Sequence, residues 1–384
     1  MNVRLATIGD YVEPVATWNP ATKPEDRFVY IDLSAVDQTE KQITSAASVL
    51  GSEAPSRARQ LVRKGDILVS TVRPNLNGVA PVSEAFDGAT ASTGFCVLRP
   101  RPEKLSSNYL MHWVRSPQFV ELMVKQATGA SYPAVSERIV KGSPIPLPAL
   151  DEQRRIAAIL DKADALRRKR KRAVELLDGL IQTMFLEMFN DEANLVELGS
   201  ICSRVTDGTH QAPNWADSGV PFLFVSNVRN QLISFKTSKF VSEDEFKRLT
   251  KNTPIDVGDV LYTAVGSYGN SAVVSMPDKF VFQRHIAQLK PLPAKVSPYY
   301  LSIALESPKV KAQADKLARG VAQKTVTLDS LKKFLIPLPS LEEQNRFADL
   351  ASTIHEGARK MEASSNQLSG LFTSLQSLAF SGQL

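Results

Sequence analysis

Polar and apolar positions along the chain fall into two alternating textures. Over 1–150 and 191–340, apolar residues come in short β-branched runs, such as Gly65–Val72 and Phe222–Val228, bounded by Gly, Pro and Asn. This pattern predicts strands joined by tight turns. Phe95–Leu98 and Ile286–Leu289 predict a further strand in each segment. Tyr109–Gln126 and Tyr299–Leu317 carry apolar residues at helical spacing instead, and a Ser-Pro pair inside each marks a new helix start. Over 151–190 and 341–384 there is no proline, and an apolar stripe runs at heptad spacing. In the first stripe the a positions are Ile156, Ala163, Arg170, Leu177 and Met184, and the d positions Ile159, Leu166, Ala173, Leu180 and Glu187; eight of these ten are apolar. In the second they are Phe347, Ile354, Met361, Leu368 and Leu375, with Leu350, Gly357, Ser364, Leu371 and Leu378, and again eight are apolar. Each stripe predicts a long helix of up to ~60 Å.

The textures repeat because the words repeat. Ile145-Pro146-Leu147-Pro148 recurs as Ile336-Pro337-Leu338-Pro339, an offset of 191 residues. Leu150-Asp151-Glu152-Gln153-Arg154 faces Leu341-Glu342-Glu343-Gln344-Asn345, Ser116-Pro117 faces Ser307-Pro308, and Gly129 faces Gly320. At an offset of 193, Gly65-Asp66-Ile67-Leu68 faces Gly258-Asp259-Val260-Leu261, and Val3 and Leu5 face Val196 and Leu198. So long a period excludes a solenoid repeat and implies duplication of a whole domain with its helix. Four segments result: 1–150, 151–190, 191–340 and 341–384. Stripes in shared register predict helices that pack on each other. A pseudo-twofold arrangement runs them antiparallel, with the two domains at opposite ends. The predicted fold class is α+β: two tandem mixed α/β domains separated by two long helices that form an antiparallel coiled coil.

Composition narrows the function classes. The chain has 384 residues, with 43% apolar and 22% charged, which describes a folded globular protein. No apolar run approaches ~18 residues, so no transmembrane helix is expected. The start, Met1-Asn2-Val3-Arg4-Leu5, lacks the apolar stretch of an export signal, and the expected location is the cytoplasm. Two cysteines, Cys96 and Cys202, make no disulfide framework. The net charge of +6 permits a nucleic-acid partner without demanding one. It is +2 over 1–150, +2 over 151–190, +4 over 191–340 and −2 over 341–384. Catalytic tools are missing. There is no Gly-x-x-x-x-Gly-Lys-Ser/Thr loop, no Asn-Pro-Pro-Tyr or Asp-Pro-Pro-Tyr word, no His-Glu-x-x-His and no paired Cys-x-x-Cys. Pro277-Asp278-Lys279 lacks the second carboxylate a nuclease centre needs, and His112, His210, His285 and His355 are scattered. No catalytic residue, metal or cofactor is expected on this chain.

The repeated Ile-Pro-Leu-Pro-x-Leu-x-Glu-Gln word before each long helix resembles the specificity (S) subunit of type I restriction–modification systems. Ala91-Ser92-Thr93-Gly94-Phe95-Cys96-Val97-Leu98, Asp207-Gly208-Thr209-His210 with Pro213, and the ending Ala379-Phe380-Ser381-Gly382-Gln383-Leu384 agree with it. The resemblance covers essentially the full chain and implies a division of labour. Each globular domain would be a target-recognition domain reading one half of a bipartite, asymmetric site in double-stranded DNA. The helices would fix the unread spacer and dock two methyltransferase (M) subunits. Those subunits would carry S-adenosylmethionine, and restriction/translocase (R) subunits would join them. No membrane is implied. A competing expectation is a non-catalytic coiled-coil scaffold that bridges protein partners without sequence-specific DNA binding.

Base readout needs forked donors and amides held on loops. The candidate in the first half is Arg73-Pro74-Asn75-Leu76-Asn77-Gly78, with Arg73, Asn75 and Asn77 as readers. In the second half it is Gly266-Ser267-Tyr268-Gly269-Asn270, with Ser267, Tyr268 and Asn270. A second pair of loops is Thr128–Pro133, with Tyr132, and Arg319–Lys324, with Lys324; here a plain helix stop at glycine is the competing reading. Thr209, His210, Arg284 and His285 are further candidates in the second half only, since the matching Glu13–Trp18 stretch lacks the Asp-Gly-Thr-His word. Arg57 and Lys64, in a cluster with Arg59 and Arg63, are phosphate candidates. The seam residues for the coiled coil and partner docking are Ile156, Ile159, Leu166, Arg170, Leu177, Leu180, Phe347, Leu350, Ile354, Met361, Leu368 and Leu371. The run Arg167-Arg168-Lys169-Arg170-Lys171-Arg172 points all round its helix. Arg170 falls on the seam, its partner not specified by the sequence, and Glu356 and Glu362 in the middle of the second helix offer acidic partners for pairing. Contact with spacer DNA and a solvated face are the other readings of that run.

Overall fold

The computed structural model describes residues 4–189, 194–320 and 323–384, the side chain of Asp178 excepted. Val3, Val321 and Ala322, quoted above, lie outside the described residues. The chain divides into two units, Met1–Lys171 with Ala363–Leu384, and Arg172–Glu362. Both long helices are therefore shared between the units.

Unit 1 holds two four-stranded sheets. One runs Val12–Glu13, Phe95–Pro100, Ile67–Ser70, Val79–Pro81. The other runs Ala47–Leu50, Arg27–Ile31, Thr90–Ser92, Ala58–Leu61, with its two central strands parallel. Helices α1 (Ser107–Arg115) and α2 (Pro117–Gln126) bury Tyr109, Leu110, Val114 and Phe119 in one core with Ile67, Val69 and Leu98. Their break is the Ser-Pro pair: Ser116 caps α2 by accepting the Phe119 N–H at 3.3 Å, and Pro117 takes the first helical position. After α3 (Glu137–Gly142), Pro144–Pro146 pairs antiparallel with Leu5–Thr7 and closes the domain on its first strand. A two-stranded edge ladder is where prolines are tolerated, which explains the repeated proline word. The long helix α4 (Leu150–Met188) then begins.

Unit 2 repeats the plan. Its sheets run Cys202–Asp207, Ile286–Pro291, Val260–Thr263, Ser271–Val273, and Trp215–Ala216, Phe240–Val241, Val220–Leu223, Phe282 with Val281. Helix α5 (Glu243–Thr250) follows Phe240–Val241. Then come α6 (Pro298–Glu306), α7 (Pro308–Leu317) and α8 (Leu328–Lys332). Leu335–Pro337 closes on Leu195–Glu197 before α9 (Leu341–Ser381). The strand expected over Phe222–Val228 stops at Leu223. There the Asn227 side chain accepts the Phe224 N–H at 2.9 Å and folds the next residues into a tight turn.

One glutamine ties each long helix to its domain. Gln153 accepts the Ser106 N–H at 2.9 Å and donates to the carbonyls of Lys104 and Pro148 at 3.1 and 3.0 Å. Gln344 makes the same three bonds to Ser297, Lys295 and Pro339, at 2.9, 3.1 and 2.9 Å. Both side chains are buried. Tyr109 and Tyr300 add a matched pair, donating to the Pro146 and Pro337 carbonyls at 2.7 and 2.8 Å.

Within each unit the helices pair antiparallel. In unit 1, Ile156, Ala157 and Leu160 share a core with Phe372, Ala379 and Phe380. In unit 2, Ile181 and Phe185 share one with Phe347 and Ala351. The buried stripe differs from the expected a/d seam. Ile156 and Phe347 are buried, and Leu177, Ile354, Met361 and Leu368 are half-buried. Ile159 is half-buried, but Leu166, Leu180, Leu350 and Leu371 are 47%, 44%, 46% and 64% exposed. Leu160, Ile181, Ala351, Phe372 and Ala379 replace the d positions one residue later. Each helix packs on its domain as well as on the other helix, so its apolar face turns from the narrow coiled-coil seam toward the wider stripe of a globular helix.

Candidate nucleic-acid interface

In both units the two loops proposed from sequence are joined by a short ladder. In unit 1, Val72 bridges Ala134, and the Arg73 N–H donates to the Pro133 carbonyl at 2.7 Å. In unit 2, Val265 bridges Thr325, and the Gly266 N–H donates to the Lys324 carbonyl at 2.9 Å. The scaffold is common, and the side chains mounted on it differ. Arg73 is exposed, with its guanidinium 4.6 Å from the centre of the exposed Tyr132 ring. Its backbone is left-handed at φ 50°, where unit 2 has Gly266 at φ 73°. A Cβ on Gly266 would lie 3.3 Å from the Gln323 side chain, so the glycine makes room for Gln323. Gln323 is exposed and occupies the position of Tyr132 in the repeat. It was missing from the sequence-derived readers because only the alignment of the two ladders singles it out.

Three predicted readers are turned inward. Asn77 donates to the Val114 carbonyl at 2.9 Å, and Asn270 donates to the Ser267 carbonyl at 3.1 Å and Thr263 Oγ1 at 3.3 Å. The first amide ties its loop to α1, and the second stabilises its own turn. The Tyr268 hydroxyl donates to Asp315 of α7 at 2.6 Å, which also engages it internally. Asn75, Ser267 and Lys324 remain exposed.

A second surface in unit 2 brings together the two words that the sequence marked separately. The Thr209 N–H donates to Phe282 at 3.0 Å, and the Arg284 N–H donates to Thr209 at 3.1 Å. Only glycine fits at 208, since a Cβ there would lie 2.1 Å from the Phe282 carbonyl oxygen. The Thr209 hydroxyl is turned to the Gln211 carbonyl at 3.0 Å. His210 pairs with Asp207 at 3.0 Å, and burial together with Arg284 holds His285 below its ordinary pKa. With Trp215, Phe222 and Phe224 these residues line a concavity of ≈ 280 Å³. Trp215 is 45% exposed, with Lys239 5.3 Å from its ring centre. This exposed aromatic with a cation beside it suits stacking on a base or sugar, and no word in the sequence pointed to it.

The remaining candidates are more ordinary. Arg57 is exposed, and Lys64 is exposed and paired with Glu84. The basic run is largely engaged. Arg167 and Arg168 bind Asp164 at 2.7 and 3.0 Å, and Lys171 binds Glu40 at 2.9 Å. Arg170, which the heptad places on the seam, donates to Ser364 of α9. The antiparallel pairing brings a serine opposite it. Both cysteine thiols are buried and pushed up to about 12 by that burial. Among the described residues no group of three His, Cys, Asp or Glu could hold a metal, and no helix is long and apolar enough to cross a membrane.

Residues 36–176 and 190–368 each match the family model described as the type I restriction modification DNA specificity domain. The chain belongs to this family. A DNA sequence-specificity role follows from that membership. The EcoBI specificity subunit of Escherichia coli is 20% identical over 325 residues, covering 75% of this chain and 68% of its own. The EcoKI specificity subunit of E. coli strain K12 is 23% identical over 315 residues, covering 74% and 67%. A solved chain from work on complex assembly and conformational transition of the type I R-M system is 28% identical. It covers 99% of this chain and 98% of its own, with a TM-score of 0.62. The likeness to the solved chain extends over both domains and both long helices described above.

Proposed function

We propose that each unit reads one half of a bipartite, asymmetric target in double-stranded DNA, and that the paired helices set the unread spacer. The observation that carries this reading is the common two-loop ladder bearing different side chains. Arg73 over Tyr132 in unit 1 suits guanine, whose O6 and N7 accept a forked donor. Gln323 over Gly266 in unit 2 suits adenine, which an amide grips at N6 and N7. Leu166 and Leu371 on the helices of unit 1, and Leu180 and Leu350 on those of unit 2, are exposed apolar residues that serve to dock two M subunits, with R subunits joining that complex. S-adenosylmethionine is carried by the M subunits, and this chain contributes choice of sequence without catalysis. A modest net charge of +6 fits a subunit that leaves much of the phosphate grip to its partners.

Single-molecule sequencing of methyladenine in a host expressing this chain with its M subunits tests the reading. The expected result is a split motif, two short half-sites around a fixed gap. No split motif, or one unchanged after deletion of 191–340, overturns it in favour of a scaffold that binds only protein.

A further inference from the structure

A continuous polar path runs through unit 1 from the reading loop to the long helix. It starts at Asn77, whose amide donates to Val114 of α1 at 2.9 Å and whose carbonyl receives Lys41 Nζ. Lys41, at φ 54°, closes the hairpin of Val36–Asp37 and Gln42–Ile43. Asp37 holds that turn by accepting the N–H groups of Thr39 and Glu40 at 2.7 and 2.8 Å. Glu40 meets the helix twice: its carbonyl accepts from Arg168 at 2.7 Å, and its carboxylate from Lys171 at 2.9 Å. Arg168 continues to Asp164 at 3.0 Å, and Asp164 also takes Arg115 from the end of α1 at 2.9 Å. Arg115 adjoins Val114, so the path closes on itself.

The groups in this ring are charged; Arg115 and Asp164 are buried, and the Lys171–Glu40 pair lies at the surface. Asp164 is 5% exposed. Burial alone would raise its pKa, but Arg115, Arg167 and Arg168 outweigh it and hold the carboxyl at about 2. Burial first and Arg115 second lower Lys41 to about 8, against the pull of Asp37, so it is still a cation at neutral pH. Unit 2 places a hairpin in the corresponding position, but ties it through other groups, with Glu306 at the repeat position of Arg115 accepting the Ser271 N–H at 2.6 Å. Gln231 accepts the Ser302 hydroxyl at 2.7 Å and donates to Ser271 Oγ at 3.3 Å, and the repeat position of Asp164 is His355.

We propose that Glu40, Lys41, Asp164 and Arg168 are positioning residues that fix the unit 1 reading loop on α4, so that one half-site depends on them and the other does not. The inference rests on the assignment of the loops to base reading given above. It also gives the basic run a purpose within the chain. Arg168 and Lys171 meet the hairpin, and Arg167 and Arg168 the Asp164 carboxylate, and these contacts link the loop to the helix.

The test uses the full chain in complex with its M subunits, and reads base preference at every position of the split motif by methyladenine sequencing. Glu40→Arg should relax one half-site by about fivefold and leave the other within error, as expected when a coupling network is cut. The swap Glu40→Arg with Lys171→Glu should recover most of that loss, which a general folding defect would not allow. Glu40→Gln, which keeps size and the backbone contact, serves if the reversal does not fold, and should relax the same half-site more weakly. Equal loosening of both half-sites, or no change with either variant, overturns the proposal. If the unmodified complex gives no split motif, it is the assignment of the loops that fails.

Discussion

A left-handed backbone is cheap for glycine and costs about 1–3 kcal/mol for a bulkier residue, so Arg73 and Gly266 inform each other. The repeat uses glycine at this place in unit 2, at φ 73°, and unit 1 holds an arginine there at φ 50°. Accepting that strain makes sense if the guanidinium is needed at the loop's tip, held over Tyr132. Arg73→Ala should therefore relax one half-site by about tenfold, within the ~1–3 kcal/mol that a forked contact to guanine supplies. Tyr132→Ala should relax the same half-site less, by about threefold, since an exposed cation–π contact is worth ~0.5–1 kcal/mol. Gln323→Ala should relax the opposite half-site. Binding of the assembled complex to duplexes that vary one base at a time measures all three. Arg73→Ala and Gln323→Ala relaxing the same half-site would contradict the assignment of one loop pair to each half.

Among elements, the helix starts are the most informative. Gln153 and Gln344 are each buried, and each satisfies one N–H and two carbonyls that join the domain to its helix. Removing either side chain strands those groups, and about 2–3 kcal/mol of stability should go with it. Because the two sites match bond for bond, Gln153→Ala and Gln344→Ala should cost nearly the same in denaturant unfolding of the full chain. A loss several-fold larger at one than at the other would mean that the two helix starts are not equivalent. The recurrence of this glutamine was legible in the sequence, and so were the tandem α/β plan, the Ser-Pro helix breaks and the long helices. Its reason was not, since the groups it binds, Lys104 and Pro148 or Lys295 and Pro339, are backbone carbonyls that no side-chain pattern announces. The d positions of the heptad stripe shift for a related reason. Ile159 and Leu371 keep coiled-coil spacing, but helices that also pack on a domain bury Leu160 and Phe372 more deeply, one position later. Inward-turned Asn77 and Asn270 were chosen as readers for their amides, and the same amides hold their own loops in place, so residue type alone could not separate the two uses.

At the scale of the molecule, the two long helices are the elements that both units share. Unit 1 ends at Lys171 on α4 and resumes at Ala363 on α9, so the same level of the helix pair divides the chain twice. A ruler made this way is lengthened without disturbing either domain only if both helices grow together at that level. Four residues inserted after Lys171 and four after Glu362 add ~6 Å of rise and ~40° of rotation to each helix. Two base pairs of B-DNA add ~7 Å and ~70°. The added rise matches two base pairs and the added turn about one, which leads to a definite expectation. The doubly extended chain should methylate the same two half-sites with a spacer longer by about one or two base pairs. The insertion in α4 alone should behave differently, because it throws its seam out of register with α9 and leaves Phe372 and Phe347 without their partners across the pair. That variant should lose methylation and melt at lower temperature. Methyladenine sequencing of hosts carrying each form separates the outcomes, and an active double insertion with an unchanged spacer would show that something other than the helix pair sets the gap.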